Sequence, residues 1–122
     1  MLDGNGEPSD AGTNPGGWIA VLDERELAEA KPARVVVGEA PVLVCRIGER
    51  LFALSDRCTH QGAPLSRGIV RATGSNPTVT CPLHGSMFTL AEGRVLRGPA
   101  GAPLAVYDVR ASGGRIEVRP QT

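Results

Sequence analysis

The stretch RLFALSDRCTHQGAPLSRG (50–68) decides the fold, and a second, CPLHGSMFTLAEGRVLRGPA (81–100), completes it. The first carries Cys58-Thr59-His60 and the second Cys81-Pro82-Leu83-His84, so each supplies one thiol and one imidazole. Those four residues use both histidines of the 122-residue chain and two of its three cysteines. Twenty residues separate His60 from Cys81. Thiolate is a soft donor that suits zinc or iron–sulfur centres, and imidazole suits zinc or iron. The usual zinc-finger order groups Cys with Cys and His with His. A mixed order fits a binuclear centre gripped between two loops, each loop giving its Cys to one metal and its His to the other.

On either side the chain reads as strands. Apolar runs at 33–37, 41–47 and 50–54 precede the first motif, and Gly48-Glu49 between the last two is a hairpin signal. A first strand is expected at 18–22. Asp23-Glu24-Arg25-Glu26 has the form of a capping box that starts a short helix ending before Pro32. Beyond position 55, glycines, prolines and the two motifs dominate, with short strands at 69–71, 78–80 and 87–90 and a tight turn at Glu92-Gly93. Alternation returns at 104–110 and 115–119, joined across Ser112-Gly113-Gly114. Cys45, inside the run VLVCRIG, reads as a small buried hydrophobe. The layout predicts one scaffold built from both ends of the chain (18–54 and 101–120), with a loop-rich subdomain at 55–100 inserted between them.

Composition bounds the possibilities. At 122 residues the chain forms one domain with a modest core. Only Trp18, Phe52, Phe88 and Tyr107 are aromatic, so the core is aliphatic. The 16 Gly and 10 Pro favour a turn-rich β protein. Net charge is zero, which gives no overall field toward nucleic acid or anionic lipid. No apolar run approaches membrane-spanning length. Residues 1–17 read as an acidic, disordered leader without the features of an export signal, and a cytoplasmic location is the expectation. Charge is uneven, however: residues 55–100 carry Arg57, Arg67, Arg71, Arg94 and Arg97 against Asp56 and Glu92. Such arginines are either solvated surface or an electropositive rim facing an acidic partner.

The two motif segments, with their flanking Gly, Pro and Ser, resemble those of Rieske-type [2Fe–2S] proteins. The likeness runs from Trp18 to the end of the chain, and it is nearest to soluble Rieske ferredoxins. The resemblance implies an all-β fold, an antiparallel β-sandwich or barrel scaffold with an inserted cluster-binding subdomain and one short helix. It places Cys58 and Cys81 on an inner iron and His60 and His84 on an outer one. The imidazoles then bind through Nδ1, and their Nε2 edges face solvent as the electron exit. Around these ligands it implies roles for Gly62 and Gly85 in turning the loops and for backbone N–H groups as donors to sulfur. Pro82 and Pro64 stiffen the loops, and Pro99 belongs to a proline loop covering the cluster.

Departures from the family pattern narrow the class. Rieske proteins of quinol-oxidising complexes carry an extra Cys in each loop; Ala63 and Leu83 stand there in this chain, so that disulfide cannot form. Ser86 keeps one hydroxyl that bonds sulfur in the high-potential class, but Phe88 replaces the tyrosine that supplies another. Fewer donors to sulfur place the potential at the low end of the Rieske range, about −150 mV. The resemblance therefore implies a monomeric one-electron carrier between a flavin-dependent or ferredoxin reductase and a terminal oxygenase that hydroxylates aromatic rings. With both histidines spent, no two-His, one-carboxylate iron site is left, so the chain is read as a carrier rather than an enzyme. The competing readings are a Rieske-type small subunit of a nitrite reductase, a redox-regulatory domain, and a structural zinc module.

Overall fold

The computed structural model describes residues 13–14, 16–72 and 74–121. In chain order its strands are β1 (Thr13–Asn14), β2 (Trp18–Asp23), β3 (Ala33–Val37), β4 (Ala40–Ile47), β5 (Arg50–Ser55), β6 (Ile69–Arg71), β7 (Thr78–Thr80), β8 (Met87–Thr89), β9 (Val95–Arg97), β10 (Tyr107–Ser112) and β11 (Arg115–Pro120). They form three antiparallel sheets ordered β10-β11-β2-β1, β3-β4-β5 and β9-β8-β7-β6. The fold is all-β, as the sequence implies.

The middle sheet explains why 41–47 reads as an unbroken apolar run. Successive side chains of a strand point to opposite faces. From β4, Val42 and Val44 enter one core, with Val35, Val37, Ala53, Ile116 and Val118. Leu43 and Cys45 enter the other, with Phe52, Leu54, Leu65, Val79 and Phe88. Both faces of β4 are covered, so there is no polar side to alternate with. The second core also contains Cys58 and Cys81, which roots the motif loops in the scaffold. Burying each Leu or Val here contributes about 1.5–3 kcal/mol.

The inserted sheet leaves the scaffold after β5 and rejoins it before β10. At the return, Ser55 N–H donates to the Ala105 carbonyl (2.8 Å), and Leu54 bridges to Val106. This pairing delays β10, which begins at Tyr107 rather than at 104 as expected. Leu104 is spent instead on the motif-side core, and its N–H donates to the Gly93 carbonyl (2.8 Å).

The capping box at Asp23 forms: the Asp23 carboxylate accepts Arg25 N–H and the Glu26 carboxylate accepts Asp23 N–H, both at 2.9 Å. The helix it starts is a single 3₁₀ turn, Glu24–Glu26, and does not run to Pro32 as expected. Leu27 leaves helical geometry to bury itself in the scaffold core, and Glu29 then pairs with Arg46. A second 3₁₀ turn, Leu65–Arg67, and strand β9 were not anticipated. Residues 1–12 of the expected leader lie outside the described residues. Within the expected leader, Thr13 and Asn14 pair with Ile19 and Trp18.

Candidate metal centre

The two motif loops are closed by the same pair of backbone bonds. In the first, Cys58 N–H donates to the Ala63 carbonyl (2.9 Å) and Gly62 N–H to the Cys58 carbonyl (2.7 Å). In the second, Cys81 N–H donates to Ser86 (2.7 Å) and Gly85 N–H to Cys81 (3.2 Å). Gly62 and Gly85 therefore occupy equivalent positions, with φ of +77° and +80°, a left-handed conformation that a Cβ would strain. Equivalent loops facing each other place their first residues side by side.

The four sequence-predicted ligands come together in two pairs. Cys58 and Cys81 are 3% and 4% exposed, and their thiols are near enough to share a hydrogen bond. Burial pushes the Cys81 thiol above its ordinary value, while N–H donors from Leu83 and His84 to its sulfur pull the other way. His60 and His84 are exposed, with ring centroids 5.2 Å apart and planes at 70°. His84 Nε2 lies 3.3 Å from Gln61 Oε1. Neither thiol forms a disulfide. Among the described residues no group of three or more His, Cys, Asp and Glu is placed to hold a single metal ion. A buried sulfur pair beneath an exposed nitrogen pair instead fits a two-iron cluster, with soft donors on one metal and imidazoles on the other.

The other predicted residues surround these pairs. Ser86 is fully buried, and its Oγ accepts Ala100 N–H at 2.9 Å, leaving the hydroxyl proton free to donate. Phe88 is fully buried in the core that holds both cysteines. Pro99 is exposed and follows a cis Gly98–Pro99 bond. Ala63 packs against that core, whereas Leu83 is 51% exposed. The 98–103 segment is pinned to both loops, by Ala100 to Ser86 and by Thr59 Oγ1, which donates to the Ala102 carbonyl at 2.6 Å.

Matches to known proteins agree with this arrangement. Residues 17–119 match the family described as Rieske-like [2Fe-2S] domain. The chain belongs to that Rieske-like family. Its cofactor is the Rieske [2Fe–2S] cluster, which the sulfur and imidazole pairs suit. The chain is 39% identical over 93 residues to the anthranilate 1,2-dioxygenase ferredoxin subunit of Burkholderia cepacia, covering 76% of this chain and 82% of that one. It superposes on the ferredoxin of carbazole 1,9a-dioxygenase from Nocardioides aromaticivorans IC177 with a TM-score of 0.78 and 30% identity, covering 85% and 98% of the two chains. A putative NADH-dependent nitrite reductase small subunit from Mycobacterium tuberculosis gives a TM-score of 0.76 at 26% identity, covering 86% and 96%.

Several residues of this Rieske centre escape sequence reading. Asp56, counted there only as a charge, is fully buried; it accepts Arg34 Nη1 (2.7 Å), Ser66 N–H (2.6 Å) and Ser66 Oγ–H (2.6 Å) at the root of the first loop. Gly68 lies against the carbonyl of Thr80, the residue before Cys81, where any Cβ would collide. Gln61 is marked only by sitting next to His60. An acid directly before an Arg-Cys pair was the one available signal for Asp56, and its partner Arg34 is 22 residues away.

Proposed function

We propose that Cys58 and Cys81 hold the inner iron and His60 and His84 the outer iron of the cluster, and that the chain carries single electrons from a flavin-dependent or ferredoxin reductase to a terminal ring-hydroxylating oxygenase. The observation that carries this reading is the separation of roles within 58–84: sulfur donors buried in the core, imidazoles exposed at the tip. When bound, the cluster supplies reversible one-electron transfer. The chain's own residues do the rest. The core shields the thiolates from water, which limits hydrolysis and competing ligands. The exposed imidazole edges shorten the path to a partner's surface. The His84 Nε2 contact with Gln61 supports an inward-facing Nδ1, because the outer nitrogen is then free to donate to the amide oxygen.

The relatives named as dioxygenase ferredoxins support the oxygenase as electron acceptor. No helix of the described residues is long and apolar enough to cross a membrane. The reading includes a monomeric chain in the cytoplasm with no nucleic-acid role. Its domain plan is a leader at 1–17 and one domain at 18–122, with cluster-binding residues 55–100 set into the scaffold.

Anaerobic reduction followed by EPR, with iron and acid-labile sulfide analysis, tests the ligand set. The expected result is two irons and two sulfides per chain with a mixed Cys/His signature, lost on Cys58→Ser or His84→Ala. Zinc without sulfide would overturn it. The nitrite-reductase reading has one observation in its favour, the small-subunit neighbour in the same fold. Co-purification with a sirohaem-bearing large chain would select that reading over the mobile carrier.

A further inference from the structure

We propose that the cluster tip is a docking face for an acidic partner surface: an uncharged centre over the imidazoles, flanked along the chain by arginines that, among the described residues, no acid pairs with. The inference rests on the electron-carrier reading and adds the chemistry of the partner. Between residues 55 and 104 the only acids are Asp56 and Glu92. Asp56 is buried and paired with Arg34, a residue from outside the segment. Glu92 pairs with Arg94 at 3.7 Å, in the turn between β8 and β9. Neither acid opposes Arg57, Arg67 or Arg97, and all three are exposed.

The three arginines flank the tip along the chain. Arg57 immediately precedes Cys58 and bridges to Pro64 across the first loop. Arg67 precedes Gly68, which abuts Thr80 just before Cys81. Arg97 pairs in register with Met87, one residue past the second loop, and its Nη2 lies 4.0 Å from the Met87 sulfur. Among the described residues Arg57 and Arg67 make no side-chain hydrogen bond or ion pair. Between them the exposed tip residues are Thr59, Gln61, Pro82, Leu83, Pro99 and Ala102, all uncharged, beside the two imidazoles. Leu83 is among the most exposed large apolar side chains of the molecule. A dehydratable centre with a charged rim is the form of a transient protein interface, in which rim charge sets orientation and on-rate. The chain as a whole is neutral, so steering must come from this local imbalance.

Stopped-flow oxidation of the reduced holoprotein tests this, with ferricyanide as the anionic probe and tris(phenanthroline)cobalt(III) as the cationic one. Lowering ionic strength from about 0.1 M to about 0.01 M lengthens screening from about 10 to about 30 Å. It should speed ferricyanide on the order of tenfold and slow the cobalt complex. Poly-L-glutamate should block ferricyanide several-fold where poly-L-lysine does not. The triple substitution Arg57→Gln, Arg67→Gln, Arg97→Gln should flatten the salt dependence while the EPR signal stays unchanged; the single substitutions serve if the triple variant does not fold. Equal salt slopes for both probes, or a slope untouched by the substitutions, would overturn the proposal. A protein without the cluster EPR signal would instead overturn the carrier reading on which it rests.

Discussion

Ser66 holds both oxygens of Asp56: its N–H donates to Oδ1 and its Oγ–H to Oδ2, each at 2.6 Å, with the carboxylate fully buried. The bond pair spans ten residues and cinches the first ligand loop at its root. Arg34 adds a charge-assisted bond at 2.7 Å from β3, although its own side chain is 47% exposed. Asp56→Ala would leave the two donors of half-buried Ser66 without this acceptor while Arg34 swings to water. Losing these bonds should cost about 2–4 kcal/mol. Urea unfolding of the holoprotein should show a matching fall in midpoint, with faster loss of iron. A midpoint within error of the parent protein would show that the loop does not depend on this clasp.

The Ser86 hydroxyl accepts Ala100 N–H and keeps its own proton, which on the proposed reading it would donate to a cluster sulfur. Ser86→Ala should therefore lower the reduction potential and also free the 98–103 segment, at about 1 kcal/mol for the lost 2.9 Å bond. Phe88→Tyr should act in the opposite sense, raising the potential above the parent's, which is expected near the low end of the Rieske range at about −150 mV, because a new donor to sulfur stabilises the reduced cluster. Potentiometric titration of the three proteins gives the order Ser86→Ala, parent, Phe88→Tyr from low to high. An unchanged potential in Phe88→Tyr would mean that its hydroxyl does not reach a cluster sulfur.

Most strand positions and the two Cys/His motifs were legible because each rests on local pattern. The run 41–47, the Gly48-Glu49 turn and the Gly113-Gly114 turn are set by residues adjacent in sequence, and the structure places β4, β5, β10 and β11 around them. What could not be read depends on partners far along the chain. The expected helix fails because Leu27 has a core to enter, and that core is made by β3, β4, β5 and β11. Leu104 joins Gly93, so β10 starts late. The Asp56 clasp needs Arg34, and the need for Gly at 68 arises only when Thr80 is brought against it. Position 68 has φ of −87°, so its backbone angle carries no signature of the constraint.

Cys45 should make the protein alkali-sensitive. Burial pushes its thiol up to about 11 from an ordinary 9.0. The unfolded chain loses that proton at lower pH than the folded one, so the contribution to stability is complete below about pH 9 and is lost as pH rises through about 11. The total is about 3 kcal/mol. Urea midpoints measured from pH 8 to 11 should fall more steeply in the parent protein than in Cys45→Ala, which keeps every cluster ligand. Parallel curves would show that the thiol ionises without penalty.

Gly68 transmits packing to the second ligand loop. A methyl group there meets the Thr80 carbonyl, and Thr80 is held on both sides, by Ile69 in β6 and Met87 in β8. The carbonyl cannot retreat without moving β7, and the residue after β7 is Cys81. Gly68→Ala should therefore destabilise the protein by about 1–3 kcal/mol through overpacking. It should also shift the EPR g-values, because the Cys81 sulfur moves with its strand. Gly74→Ala is the control: that glycine meets nothing within 4 Å, and its positive φ of 64° makes it a conformational cost without a steric one. The control should lose stability while leaving the EPR signal intact. If both variants gave the parent spectrum, the contact between Gly68 and Thr80 would not reach the cluster.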